Sequence, residues 1–400
     1  MSFKLKKLFA DVFSPQPGDV VTLMHDVPRE GTPDNPAWQE RREMAAAWHA
    51  ELAALSERLG IAVQPLLAFP ATGSHEAEPP ALVEEAAAAS TIVLCMTEFS
   101  ARTHLLALTR KYEILRVADL AGVTRAAQEK GLSADPKRLA ATCARISPLF
   151  CRADGIEAIF SSGQLCHFDL SGHNTVFEDD GLLPPDLGKD ALRLRDLPSG
   201  EICACPFEAP DSRTVGEIPI LVGKEEVVLT VKANRITNVR GLGPAAKILL
   251  KEFRDEPGLT HIAKVGIGFN DCARDDEKAS GFHWSCGRSD LLGGKILPED
   301  FVYPEKARQE HFFYGKTSPI FCRRLDFIFP DGSRQTAIKD GRLCPMVEHK
   351  PRFPGQPPAG EEEQNPPGTA LPEAQPTELP LGEEGQPPPE AAPAETPETP

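Results

Sequence analysis

Three short stretches carry side chains of the types that bind divalent metals, two of them among glycine and cysteine. They are Ser199-Gly-Glu-Ile-Cys-Ala-Cys-Pro206, Gly281-Phe-His-Trp-Ser-Cys-Gly287 and Arg324-Leu-Asp326. Glu201, His283 and Asp326 offer two carboxylates and an imidazole. Three such donors with a position left for water or substrate are the minimum for a catalytic ion. Each residue also has a plain structural reading. Glu201 can be a turn carboxylate, His283 a histidine packed beside Trp284, and Asp326 the partner of Arg324 or Arg323. Cys203-Ala-Cys205 adds two thiols on one face of a strand. They are either half of a soft-metal site or two packed thiols, and no second pair completes a tetrahedral set.

The elements that must position these residues follow from periodicity. Val20–Met24 reads as a strand. Asn35-Pro36 starts a helix, with the asparagine as cap and the proline at the first helical position. Met44, Trp48, Leu52, Leu55 and Leu59 then recur at helical spacing up to Gly60. Ile61–Ala68 is a second strand weakened by Pro65, Pro80–Ala89 a short helix, and Thr91–Met96 an apolar run suited to a strand covered on both faces. Asp135-Pro136 opens another helix. Strand and helix alternating in this way predict an open parallel sheet flanked by helices over 1–151.

Beyond that point hairpin spacing dominates. Ile156–Phe160 and Leu165–Leu170 flank a short turn. Ile218–Val222, Val227–Val231 and Ile236–Val239 read as further strands, Pro244–Phe253 as a helix, and Asp331-Gly332 and Asp340-Gly341 as turns between late strands. The expectation is a mixed, largely antiparallel α+β domain over 152–350, so that the fold class is α/β plus α+β. Residues 351–400 are rich in Pro and Glu, lack aromatics, and are expected to form a disordered tail.

The order and wording of the stretches resemble the M29-type metallo-aminopeptidases (aminopeptidase T) and the related 2,5-dihydroxypyridine dioxygenases. Ile262-Ala-Lys-Val-Gly-Ile-Gly-Phe-Asn270, Thr97-Glu-Phe-Ser-Ala-Arg-Thr-His104, Gly163–His173 and Thr336–Cys344 extend the likeness over about 95–345. The resemblance implies a metal held by Glu201, His283 and Asp326. It places Lys264 and Arg324 where that superfamily has a glutamate and a histidine. Arginine has no lone pair to give, and lysine ligates only as a neutral amine. The two cations are therefore expected beside Glu201 and Asp326, neutralising them. His311, Cys286 and Cys322 are replacement donors, and Asp290 is the candidate general base.

Three functions are compatible with these residues. One is a metal-dependent hydrolase of peptides or small amides, with Zn, Co, Mn or Fe. Another is a non-catalytic binding protein for a peptide or small carboxylate, with no metal. The third is an Fe(II) ring-cleaving dioxygenase. The resemblance also implies a homodimer.

Composition narrows the partners. The chain has 400 residues and a formal net charge of −16. Residues 355–400 contain ten Glu and no Lys, Arg or Asp, so the rest is only mildly acidic. That argues against a nucleic-acid surface. No apolar run is long enough to span a membrane, and the N-terminus lacks the pattern of a secretory signal. A cytoplasmic location is the expectation. Ten cysteines without a Cys-x-x-Cys pair fit buried thiols better than a disulfide scaffold. Walker, Gly-x-Ser-x-Gly and His-Glu-x-x-His signatures are absent.

Overall fold

The computed structural model describes residues 3–172, 175–188, 191–274 and 278–345. The 351–400 tail lies outside the described residues. In chain order the strands of the first part are β1 (Val20–Val27), β2 (Ala62–Val63), β3 (Leu67–Pro70), β4 (Ile92–Met96) and β5 (Arg116–Asp119). Then come β6 (Gly155–Phe160), β7 (Leu165–Asp169), β8 (Val176–Asp179), β9 (Leu194–Asp196) and β10 (Glu201–Ala204). They are followed by β11 (Val215–Val222), β12 (Glu225–Lys232), β13 (Arg235–Arg240), β14 (Ile262–Gly268) and β15 (Gly281–Gly287). The last are β16 (Gln309–Gly315), β17 (Cys322–Ile328), β18 (Arg334–Lys339) and β19 (Arg342–Leu343). The helices are α1 (Leu5–Phe13), α2 (Pro36–Leu59), α3 (Ala81–Ala88), α4 (Arg102–Lys111), α5 (Arg125–Glu129), α6 (Pro136–Arg152) and α7 (Pro244–Asp255).

The first sheet is parallel, in the order β2-β1-β4-β5-β9, with β3 also on β1. Its apolar side chains divide between two clusters. Val21, Leu23, Ile92, Leu94 and Met96 pack on α1 and α2. Met24, Val93, Cys95 and Val117 pack on α3 and α4. This two-sided cover is what the unbroken apolar run of β4 requires. The Asn35 side chain accepts from Trp38 N to cap α2, and Gly60 closes it at φ 68°. Asp135 caps α6 through Lys137 N. The single strand expected over Ile61–Ala68 is two short ones on either side of Pro65, whose missing N–H interrupts the ladder. The strand β9 lies far along the chain, yet it completes this sheet beside β5.

Two antiparallel sheets make up the remainder. One has five strands in the order β16-β15-β14-β10-β8. The other has eight, in the order β13-β12-β11-β7-β6-β17-β18-β19. The five-stranded sheet has unlike faces. Ile202, Ala204, Val265, Ile267, Phe282, Trp284 and Tyr314 join the large core with α6 and the eight-stranded sheet. Successive side chains alternate between faces, so Glu201, Cys203, Lys264, His283, Ser285 and His311 share the other one. Segment 298–314 ends in the edge strand β16 and brings His311 onto that face.

Candidate functional site

The polar face of the five-stranded sheet meets the carboxyl ends of the parallel strands. Open α/β sheets bind ligands at those ends. Between them lies a cleft of about 400 Å³. Ser100, Arg102, Asp119 and Asp196 line it from the parallel side. Asp179, Glu201, Cys203, Lys264, Gln309 and His311 line it from the antiparallel side, and Lys278 closes it. Hollows of about 730 and 1110 Å³ elsewhere are larger, but Glu201 and its carboxylate neighbours line neither.

Register places the side chains of the floor. Asp179 pairs with Glu201, Cys203 with Gly266, Gly266 with His283, Lys264 with Ser285, and Ser285 with His311. A Cβ on Gly266 would stand 2.6 Å from His283 Nε2 and 2.7 Å from Cys203 Cβ. Glycine there lets the imidazole lie across β14, where Nε2 comes 3.3 Å from Glu201 Oε2. Lys264 Nζ donates to the same oxygen at 3.2 Å. Asn270, fully buried, ties this floor to the first part of the chain. Its amide donates to Ser199 O at 2.8 Å and Gly131 O at 3.1 Å.

Lys278 is the centre of the arrangement. Its Nζ lies 2.6 Å from Glu201 Oε1, 2.9 Å from Asp179 Oδ2 and 3.4 Å from Asp196 Oδ2. Arg102 pairs with the other oxygen of Asp196. Asp119 Oδ2 accepts from Ser100 Oγ at 2.6 Å, and its Oδ1 from Ala121 N at 3.0 Å. Burial, reinforced by the Asp196 charge, pushes the Asp119 carboxyl up to about 7. Burial also pushes Asp179 up to about 7. Lys278 pulls it down, while Asp196 and Glu201 oppose that pull. Burial works against the Arg102 charge, but Asp196, Asp179, Asp119 and Glu201 outweigh it and hold the guanidinium charged. Two carboxyls balanced near neutrality in a cleft can accept or donate a proton.

Donor atoms of Asp179, Asp196 and Glu201 lie within 4.8 Å of one another, close enough to hold an ion. The hollow between them holds an ammonium. Metal–oxygen bonds are about 2.0–2.2 Å, so an ion at the same centre would sit against Lys278 Nζ, with no low-dielectric cost relieved by the contact. The residues present fit a cation-neutralised carboxylate cluster and do not fit a divalent metal beside Lys278.

The structure brings Glu201, Lys264, His283 and His311 together and sets Asp326 apart. Asp326 is buried on β17 in the eight-stranded sheet. Arg324 Nε donates to it at 2.9 Å and Thr336 Oγ1 at 2.7 Å. Lys264 and Arg324 thus each meet a carboxylate, but in different places. The expected set of Glu201, His283 and Asp326 is not assembled among the described residues. Cys286 and Cys322 are not replacement donors for the cleft. Both belong to the apolar core, and neither lines the cleft. Asp290 is clamped by Arg288 at 2.6 and 2.8 Å and does not line the cleft.

Sequence reasoning missed Lys278, Asp179, Asp196, Asp119 and Arg102. The aspartates had a signal, since β5, β8 and β9 each end on one. Lys278 had none, because it closes the charged run Asp275-Asp-Glu-Lys278, which reads as a solvated loop.

No family model matches the chain, and no curated protein matches it. Among solved structures it is similar to 2,5-dihydroxypyridine dioxygenase from Pseudomonas putida KT2440, at 14% identity and a TM-score of 0.57. The match covers 85% of this chain and 96% of that one. At this identity the likeness is one of fold. No described helix is long and apolar enough to cross a membrane.

Proposed function

We propose that this chain binds a peptide or small organic carboxylate in the cleft without a catalytic metal. The observation that carries this reading is the Lys278 ammonium among Asp179, Asp196 and Glu201. It supplies the positive charge an ion would bring but has no vacant coordination position with which to polarise a substrate. Across the floor, Lys264, Gln309 and His311 carry N–H groups, of which Lys264 Nζ gives one to Glu201 Oε2 and Gln309 Nε2 one to Arg288 O. Near neutral pH the protonated forms of Asp119 and Asp179 add O–H donors. Such a row suits a carboxylate accepting several charge-assisted bonds.

The test is calorimetry of the full chain against short peptides and small aromatic and aliphatic carboxylates, with EDTA present. Binding should persist in EDTA and weaken about tenfold, or 1.4 kcal/mol, in His311→Ala. Binding or turnover that vanishes in EDTA and returns with Fe(II), Mn(II) or Zn(II) would overturn it.

A second reading, a metal-dependent oxygenase, is favoured by the spacing of the three carboxylates and by the fold of the dioxygenase. It requires an ion to expel Lys278. Peptide hydrolysis rests on the residue resemblance alone.

A further inference from the structure

The Cys203-Ala-Cys205 motif divides in the structure. Cys203 lines the cleft, while Cys205 reaches a second cluster, with Glu208 and His261, whose donor atoms lie within 4.8 Å of one another. We propose that Cys205 Sγ, a Glu208 carboxylate oxygen and His261 Nε2 form a site for one Zn²⁺ or a similar borderline-soft divalent ion.

Thiolate, carboxylate and imidazole are the donors zinc takes, and three protein ligands leave one position for water. All three side chains are nearly inaccessible to solvent. Their backbones are fixed. Cys205 directly follows β10. His261 directly precedes β14, and its carbonyl accepts from Gly287 N at 2.8 Å. The Glu208 carboxylate is already aimed. Its Oε2 accepts from Lys295 N at 2.6 Å, and its Oε1 accepts from Ser289 Oγ and meets His261 Nε2 at 2.6 Å. Outer partners of this kind orient metal ligands. The turn behind them is shut tightly, since a Cβ on Gly294 would come 2.3 Å from Ser289 Oγ and 2.9 Å from Glu208 Oε1.

The contrast with the cleft is the argument. There, Lys278 and Lys264 neutralise the carboxylates. Here, among the described residues, no Lys or Arg side chain bonds to Glu208. Its partners are the imidazole, a hydroxyl and a backbone N–H. A buried carboxylate beside a thiol and an imidazole, without a permanent cation, is what a divalent ion completes. Binding releases the Cys205 thiol proton to solvent. The proton in the Glu208–His261 bond leaves or moves to Nδ1, and no electron transfer is involved. Entry opens the Glu208–His261 contact to roughly 3.3 Å, the separation of two donors each about 2.0–2.2 Å from zinc.

The experiment is Co(II) titration of the full chain, followed by absorbance and by thermal melting with Zn(II). The site predicts one Co(II) per chain with a thiolate-to-metal charge-transfer band, and a Zn-dependent rise in melting temperature. Both should be lost in Cys205→Ser and kept in Glu201→Gln. Circular dichroism checks that Cys205→Ser, a one-atom change, stays folded. His261→Gln is a second arm. No charge-transfer band in the wild type, or a band that survives Cys205→Ser, overturns the proposal. Metal binding lost only in Glu201→Gln would overturn both this site and the metal-free reading of the cleft. The two readings otherwise stand or fall separately.

Discussion

Lys278 Nζ stands 2.6 Å from Glu201 Oε1, and both side chains are buried. The same nitrogen reaches Asp179 and Asp196. A single ammonium thereby joins the last residues of β8 and β9 to the first residue of β10, and the cleft is built around it. Removing one partner of a buried pair leaves the other uncompensated, which costs about 3–5 kcal/mol. Lys278→Met is expected to lose stability on that scale in urea unfolding at neutral pH. A loss below about 1 kcal/mol, the range of an exposed pair, would mean that the ammonium is solvated in solution.

The same substitution tests the metal reading from the other side. With that ammonium gone, Asp179, Asp196 and Glu201 keep their spacing and lose their shared cation, while Lys264 stays on Glu201 and Arg102 on Asp196. Lys278→Met is expected to gain Mn(II) or Fe(II) affinity in a Cys205→Ser background, and its lost stability should return with the ion. Equal metal content in Cys205→Ser and the double variant after reconstitution would count against it.

Asp119 and Asp179 set a pH dependence. Their ordinary value is 3.8, and in the fold both rise to about 7. Between these values the folded chain holds more protons than the unfolded chain, so stability falls as pH rises through this window and levels off above it. Asp119→Asn is expected to flatten that decline. Melting temperatures from pH 4 to pH 8 that run parallel for the two proteins would show that Asp119 titrates normally.

Gly266→Ala places a methyl 2.6 Å from His283 Nε2. The imidazole must leave Glu201, at a cost of about 1–3 kcal/mol for overpacking. The double variant Gly266→Ala, His283→Ala should recover the part of that loss due to the imidazole, leaving the 2.7 Å approach to Cys203 Cβ. Unfolding curves of the two variants decide it, and no recovery would place the strain elsewhere in the sheet.

Arg324→His restores the histidine that the resemblance expects, but on the wrong sheet for the cleft. Arg324 is half exposed, pairs with Asp326 and does not line the cleft. The change is expected to leave cleft metal affinity untouched and to cost no more than about 1 kcal/mol. Metal binding gained by this variant and lost again on adding Glu201→Gln would show that the two sites communicate.

The sequence by itself determined the elements and part of the floor. Asn35-Pro36 and Asp135-Pro136 announced α2 and α6 because capping is local chemistry. The apolar run of β4 announced a covered parallel strand because burial on both faces removes alternation. Glu201, Lys264 and His283 were legible as neighbours through the residue resemblance, and the structure sets each at the polar phase of a strand in the same sheet. Tertiary structure alone decided what faces that floor. Lys278 and Asp179 lie 99 positions apart, and Arg102 and Asp196 lie 94 apart. Strand period fixes which side of a strand a residue takes, but it carries no information on which strand end will be packed opposite. Asp326 shows the converse. Its place beside Arg324 is local and readable, yet β17 belongs to the eight-stranded sheet, and strand pairing across the chain set it apart from the cleft.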